Sequence, residues 1–362
     1  MKQRLWSLDA LRGADMMFIM GLSGLITALC AWAGAPDCAL VQQMRHVRWE
    51  GLAHHDTIFP LFLFIAGVAW PFSLAAQREK GRTTVQIVRK VLVRALILCV
   101  VGFVYNGALK DFGHMRIPSV LARIGLGWAG AALIFMLVRK VWVRALVAGA
   151  LLVGYWALLS FNVAPDAPAG ATAFTDAGNF AGWIDRKLLP GLAIRMSDPE
   201  GVLSTMCGVV TAMLGVFSGE IVRSSLSGAK KTLVLLAFAA ALALAGWAWL
   251  PWCPCIKKLW TPTFALFVGA YSAAVFALFY WLCDVMMWRK WTFFFRVIGM
   301  NSITIYLFQR FVDVRGDSQL LFGGLAKAVG GDAATVILSV GYIAICWLFL
   351  YFLYRKNIFL KI

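Results

Sequence analysis

The sequence contains four histidines, of which His46, His54 and His55 fall close together and His114 stands apart. An imidazole exchanges protons near neutral pH and can accept an acyl group covalently, so such a cluster is a candidate centre for acid–base or acyl-transfer chemistry. Asp56 follows His55 directly and precedes Pro60 by four positions. A carboxylate there can cap the first turn of a helix, orient a histidine or bind an amine, and these roles are compatible. His54, His55 and Asp56 could also be read as a metal site. Neighbouring residues on a helix point apart and converge poorly on one ion, so no metal is expected. Trp49 and Glu50 lie between His46 and Asp56 and complete the polar stretch.

These side chains need elements to hold them, and composition says which kind. The chain is 61% hydrophobic and 14% charged, against roughly 45–50% and about 25% in a soluble domain, which leaves too little polar surface for a water-soluble fold. An all-α integral membrane protein is expected, built as a single domain over residues 1–362. Ten segments are long and apolar enough to cross about 30 Å of hydrocarbon: 14–34, 57–77, 91–108, 120–138, 141–162, 203–222, 232–250, 262–286, 293–310 and 333–354. The first is read as a retained helix, since no small-residue cleavage site follows it. An even number of crossings puts both termini on one side.

Lys and Arg set the orientation. With the N terminus in the cytoplasm, 21 of the 34 basic residues fall on cytoplasmic segments, as the excess of positive charge inside requires. The net charge of +17 is thereby explained by topology, and a nucleic-acid partner is not expected. The same assignment puts all four histidines outside, together with three non-cytoplasmic loops. Residues 35–56 carry the histidines, residues 163–202 carry Asp185, Arg186, Asp198 and Glu200, and residues 311–332 are Gly-rich. Within or beside the spans, Arg123 and Asn301 are polar groups where such groups are costly and often functional. Asp9 three residues before Arg12 reads as a cap or ion pair, and Asp284 as an interface charge.

Most of the eight cysteines sit in apolar runs and behave as small hydrophobes. Cys253 and Cys255, on the oxidising side, could form a strained disulfide or pair with Cys38. Phosphate-loop, zincin and nucleophile-elbow motifs are absent, so an ATP-driven pump and those hydrolases have no support.

Several blocks occur in order over nearly the whole chain: Ser7-Leu8-Asp9-Ala10-Leu11-Arg12-Gly13, His46 through Leu52 leading into Asp56-Thr57-Ile58-Phe59-Pro60, Arg116-Ile117-Pro118-Ser119 through Arg123-Ile124-Gly125, Ile184-Asp185-Arg186, Asp198-Pro199-Glu200-Gly201, Leu259-Trp260-Thr261 and Gly299-Met300-Asn301-Ser302. The set resembles heparan-alpha-glucosaminide N-acetyltransferase and its bacterial relatives. The resemblance implies a multi-pass enzyme of the bacterial inner membrane that takes acetyl-CoA from the cytoplasm and acetylates the amine of a glucosamine-type sugar on the periplasmic side. It implies His46 as the catalytic histidine, because the family's histidine lies just before a Trp-x-Gly-Leu stretch. His54 and His55 stand where the animal enzymes are apolar or small, and inherit no catalytic role. Where the animal pattern has an asparagine near the outer end of the first helix, a gapless count reaches Ser23.

On this reading Asp56, Trp49, Glu50, Ser23, Asp185 and Glu200 are the candidates for binding or orienting the acceptor. Arg12, Arg82, Arg89, Arg94, Arg123 and Asn301 are those for the CoA end. Partners would be acetyl-CoA, a small amino sugar and the bilayer; nothing in the sequence opposes a homodimer. Two rival classes stay open: a secondary transporter or flippase for a sugar or sugar-lipid, and an O-acyltransferase acting on cell-surface polysaccharide. Acetyl-CoA binding separates the first, and the choice between free and N-acetylated sugar as acceptor separates the second.

The topology is directly testable. Cysteines placed singly at His46 and Arg82 in a cysteine-free background should differ in labelling by an impermeant maleimide on intact spheroplasts, His46→Cys reacting and Arg82→Cys being protected. Equal labelling would rule the arrangement out.

Overall fold

The computed structural model describes residues 5–107, 116–189 and 197–360 of the chain, so His114 lies outside the described residues. In chain order the helices are α1 (Trp6–Met17), a π-helical turn (Phe18–Leu22), α2 (Ser23–Trp32), α3 (Ala39–Gln43), α4 (His54–Glu79), α5 (Thr84–Tyr105), α6 (Val120–Leu137), α7 (Val141–Ser160) and α8 (Phe180–Leu188). They continue as α9 (Thr205–Arg223), α10 (Gly228–Trp249), α11 (Pro262–Tyr280), a second π-turn (Trp281–Val285), α12 (Thr292–Met300), α13 (Ser302–Phe311), α14 (Val314–Val329) and α15 (Gly331–Arg355). Among the described residues no β-strand forms; the extended pairings are the isolated bridges Glu50–Ile256 and Val163–Asn179. A backbone that hydrogen-bonds within each segment is what an apolar surrounding demands, and the all-α expectation holds.

Eight helical runs are long and apolar enough to cross a membrane: Trp6–Trp32, His54–Glu79, Val120–Leu137, Val141–Ser160, Thr205–Arg223, Gly228–Trp249, Pro262–Val285 and Gly331–Arg355. They coincide with eight of the ten expected segments. The other two differ for local reasons. α5 is long enough but carries Arg89, Lys90 and Arg94, and the apolar stretch 293–310 is broken at Asn301 into α12 and α13. The Gly-rich span 311–332, read from sequence as a non-cytoplasmic loop, contains the four-turn helix α14, started by Asp313, whose carboxylate accepts the Gly316 N–H at 3.1 Å.

The chain divides into two compact units. The first takes Met1–Val47, Ala53–Ile58 and Leu278–Lys361; the second takes Arg48–Leu52 and Phe59–Ala277. Helix α4 therefore contributes its first turn, with His54, His55 and Asp56, to the first unit and its remaining length to the second.

In the first unit α1 packs on α12 at backbone contact. A Cβ added at Gly299 would lie 2.1 Å from the Asp9 carbonyl oxygen, and one at Gly13 would lie 1.7 Å from that of Phe295. Without a hydrophobic effect between helices in lipid, close approach through small residues supplies dispersion contacts, which is a physical reason for Gly in both end blocks of the sequence. The amino end of α1 is capped from the second π-turn, where the Asp284 carboxylate accepts the N–H groups of Trp6 and Ser7, each at 3.1 Å. Between α1 and α2 the π-turn holds Gly21 at φ 122°, a conformation a side chain would resist. This turn re-aims the helix immediately before Ser23.

The second unit is centred on α9, against which α6 and α7 pack, with α5 beside α6. Arg144 of α7 pairs with Glu220 of α9 at 2.8 Å, and the buried Tyr155 hydroxyl donates to the Leu259 carbonyl at 2.6 Å. Each such bond satisfies a polar group that has no water to turn to. No disulfide joins any of the eight cysteines, and Cys253 and Cys255 are both buried. The disulfides considered from sequence do not form.

Substitution tests the α1–α12 contact. Gly299→Val should lower thermal stability in detergent by about 1–3 kcal/mol, the usual cost of overpacking, or abolish folding. Gly149→Ala, whose added Cβ meets nothing within 4 Å, should be neutral; equal effects would remove the backbone-contact explanation.

Candidate active site

The site begins with a charge that cannot be left alone. Asp56 is fully buried at the third residue of α4, and both of its oxygens are engaged. Oδ2 accepts the N–H groups of Ala53 at 3.2 Å and Val47 at 3.3 Å, while Oδ1 meets His46 Nδ1 at 2.8 Å. The bond to Ala53 is the half of a capping box in which the third helical residue reaches back to the residue before the helix. The cap and the histidine partner are therefore one carboxylate. Because a carboxylate only accepts, it draws the proton of a neutral His46 ring onto Nδ1 and puts the lone pair on Nε2. A side chain 58% exposed over an aspartate 1% exposed is the arrangement of an oriented base.

His55 extends the group. Its ring lies 4.5 Å from that of His46, tilted by 57°, and its Nδ1 is 3.2 Å from Ser23 Oγ at the start of α2. His54 turns elsewhere and packs its ring 4.4 Å from Phe18 in the first π-turn, while its N–H donates to Gln43 Oε1 at 2.8 Å. Ser23 in turn lines two cavities of the first unit. One, of about 340 Å³, includes Thr27, Met44, Asp332 and Thr335; the other, of about 540 Å³, includes Arg315, Gln319, Thr335 and Tyr342. Sequence reasoning singled out His46, Asp56 and Ser23 but set His55 aside. Ser23 and His55 are 32 residues apart and meet only through packing.

Other sequence candidates fall into separate groups. Trp49 donates its indole N–H to the Phe174 carbonyl at 2.8 Å, with the Lys258 ammonium 5.4 Å from the ring centre, and Glu50 bridges to Ile256 through its backbone. Asp185 and Glu200 belong to the second unit with Arg116 and Arg123. Arg116 grips Asp198 in a two-bond fork at 2.6 and 2.7 Å and also bonds Glu200. Arg123, 1% exposed, donates to the carbonyls of Pro199, Gly201 and Ser204 at 3.0–3.2 Å and to the Ser204 hydroxyl, and lies 4.9 Å from the Trp260 ring centre. These donors are spent on the chain's own backbone, which makes Arg123 a clamp on residues 199–204. Asn301 behaves likewise, its amide donating to the Ile358 carbonyl at 3.0 Å and accepting the Leu360 N–H at 3.2 Å.

Of the basic candidates, Arg12 on α1 is half-buried and Arg89 is exposed. Arg82 donates to Gln77 at 3.1 Å, and Arg94 stacks 4.5 Å from the Trp128 ring centre. Burial and the positive charges of Arg82, Arg94 and Lys80 lower the pKa of Lys90, so these residues form one basic cluster where α4 gives way to α5. Such a cluster can attract a polyanion. Among the described residues no group of three or more His, Cys, Asp or Glu side chains is arranged to hold a metal.

No protein-family model matches the chain. It is 26% identical over 381 residues to the protein named heparan-alpha-glucosaminide N-acetyltransferase from Homo sapiens and 25% identical over 376 residues to that from Mus musculus, in each case over 88% of this chain. The chain is similar to these proteins. It spans 56% of their length, so the match covers about half of each relative.

The acidic cluster gives a pH prediction. Burial pushes the Asp185 carboxyl up to about 6, although its Oδ1 accepts the Val202 N–H at 2.8 Å, and burial also raises Glu200 despite the neighbouring Arg116. An unfolded aspartate titrates near 3.9, so the folded protein holds the extra proton; that stabilisation is complete below about pH 4 and is lost as pH rises through about 6. Asp185→Asn, which keeps an acceptor for Val202, should flatten the decline of thermal stability across that window by on the order of 2 kcal/mol. An unchanged slope in a pH series of melting curves would contradict the assignment.

Proposed function

We propose that this protein is a membrane acetyltransferase that moves an acetyl group from cytoplasmic acetyl-CoA to the amine of a glucosamine-type sugar on the periplasmic face of a bacterial inner membrane. The observation that carries the reading is the His46–Asp56 pair, a solvent-accessible imidazole oriented by a buried carboxylate. The names of the two relatives support the reaction class. The run of membrane-crossing helices supports the setting.

The chemistry follows from what an amide-forming transfer needs. The C–S bond of the thioester breaks and a C–N bond forms; the nitrogen loses a proton and the departing sulfur gains one. With its lone pair on Nε2, His46 can serve either as the base for a direct attack or as the nucleophile that carries the acetyl group between donor and acceptor. Asp56 stabilises the cationic ring that both routes pass through. The pantetheine arm of CoA is slim enough to pass between helices, whereas its phosphates are not. The basic cluster of Lys80, Arg82, Lys90 and Arg94 suits the nucleotide end, with Arg12 and Arg89 as further candidates.

Transfer of label from acetyl-CoA to glucosamine by the purified protein in detergent is the direct test, with N-acetylglucosamine as the control for O-acylation. His46→Ala should fold and bind acetyl-CoA but lose about two to four orders of magnitude in rate. Asp56→Asn, which still caps α4, should retain the fold and lose a smaller factor. Near-normal transfer by His46→Ala would overturn the reading.

A further inference from the structure

Two imidazoles stand together in the first unit, and the chemistry above uses only His46. An amine acceptor arrives as an ammonium ion and must shed a proton before or as it attacks. An imidazole already engaged with the acetyl group cannot take that proton at the same moment. His55 is the second imidazole, 4.5 Å from His46 between ring centres. Its Nδ1 lies 3.2 Å from the Ser23 hydroxyl. Ser23 is also part of the wall of the 540 Å³ cavity, whose other polar lining includes Arg315, Ser318, Gln319, Thr335 and Tyr342. Hydroxyl, amide and guanidinium groups around a space of that size suit the ring hydroxyls of a saccharide, and the volume falls in the usual range for small-ligand sites.

We propose that this cavity receives the acceptor amino sugar and that His55, held by Ser23, takes the proton from its amine while His46 handles the acetyl group. The assignment rests on the acetyltransferase reading. In the step itself the ammonium gives one proton to His55, the freed amine nitrogen forms the bond to the acetyl carbon, the electron pair of the breaking bond leaves on His46 or on the CoA sulfur, and the second nitrogen proton passes to that leaving group. His55 then returns its proton to solvent. His46 with Asp56 adjoins His55, and Arg315 and Asp332 are the other charged groups of the cavities bordered by Ser23. Ser23 acts through His55 and is a positioning residue.

The test is a comparison of wild type, His55→Gln and Ser23→Ala, with purified protein, labelled acetyl-CoA and glucosamine across a pH series. His55→Gln should cut transfer at neutral pH by about two to three orders of magnitude, the usual range for a lost general base, with acetyl-CoA binding and melting temperature unchanged. The deficit should shrink as the pH is raised and the amine loses its proton in solution. Ser23→Ala should show a smaller deficit with the same recovery, which keeps the test open if His55→Gln does not fold. Wild-type rates in the variants, or a deficit of equal size at every pH, would overturn the role of His55 while leaving the acetyltransferase reading intact. Absence of transfer by the wild type would overturn both.

Discussion

A carboxylate withdrawn from water has to be met by donors, and Asp56 meets His46 and the N–H groups of Val47 and Ala53. Removing one partner from such a group costs about 3–5 kcal/mol when the charge stays behind unpaired. That requirement fixes several things together: where α4 begins, how the chain between α3 and α4 turns, and which way the His46 ring faces. The backbone N–H groups of Val47 and Ala53 are held by the same oxygen. A histidine on an otherwise exposed loop thereby gains the orientation of a residue in a rigid element. Orientation of this kind makes a side chain chemically useful at little further cost in entropy.

The same rule organises the polar residues of the second unit, with a different result. Arg116 and Arg123 draw Asp198, Glu200 and the carbonyls of residues 199–204 around themselves. Charged groups in apolar surroundings are often functional, but the guanidinium donors named here bond to the chain's own acceptors. Their effect is to hold an irregular segment together where helical hydrogen bonding is absent. Asn301 does this on a smaller scale by tying residues 358–360 to the break between α12 and α13. Polarity inside a membrane protein thus has two uses, and the partner atoms tell them apart.

The features legible in the sequence were those encoded by one-dimensional patterns. Apolar runs longer than a bilayer is thick marked eight helices that the structure contains, since the burial of such runs depends little on their neighbours. The resemblance singled out His46, and Asp56 was marked by its place at the start of a helix, from which a carboxylate reaches the residues just before it by local geometry alone. Helix α14 escaped notice because glycines weigh against a helix in isolation, whereas packing of α14 against α15 outweighs that propensity.

Only the tertiary structure decided which polar groups meet. Ser23 reaches His55 because the π-turn at Phe18–Leu22 re-aims α2, a kink for which Gly21 gives permission but no address. Arg123 and Asn301 read as functional by depth, and their backbone partners came from segments tens of residues away. Hydrophobicity and charge are properties of single residues and survive being read in a line. A hydrogen bond belongs to two residues, and its second member is chosen by how helices pack.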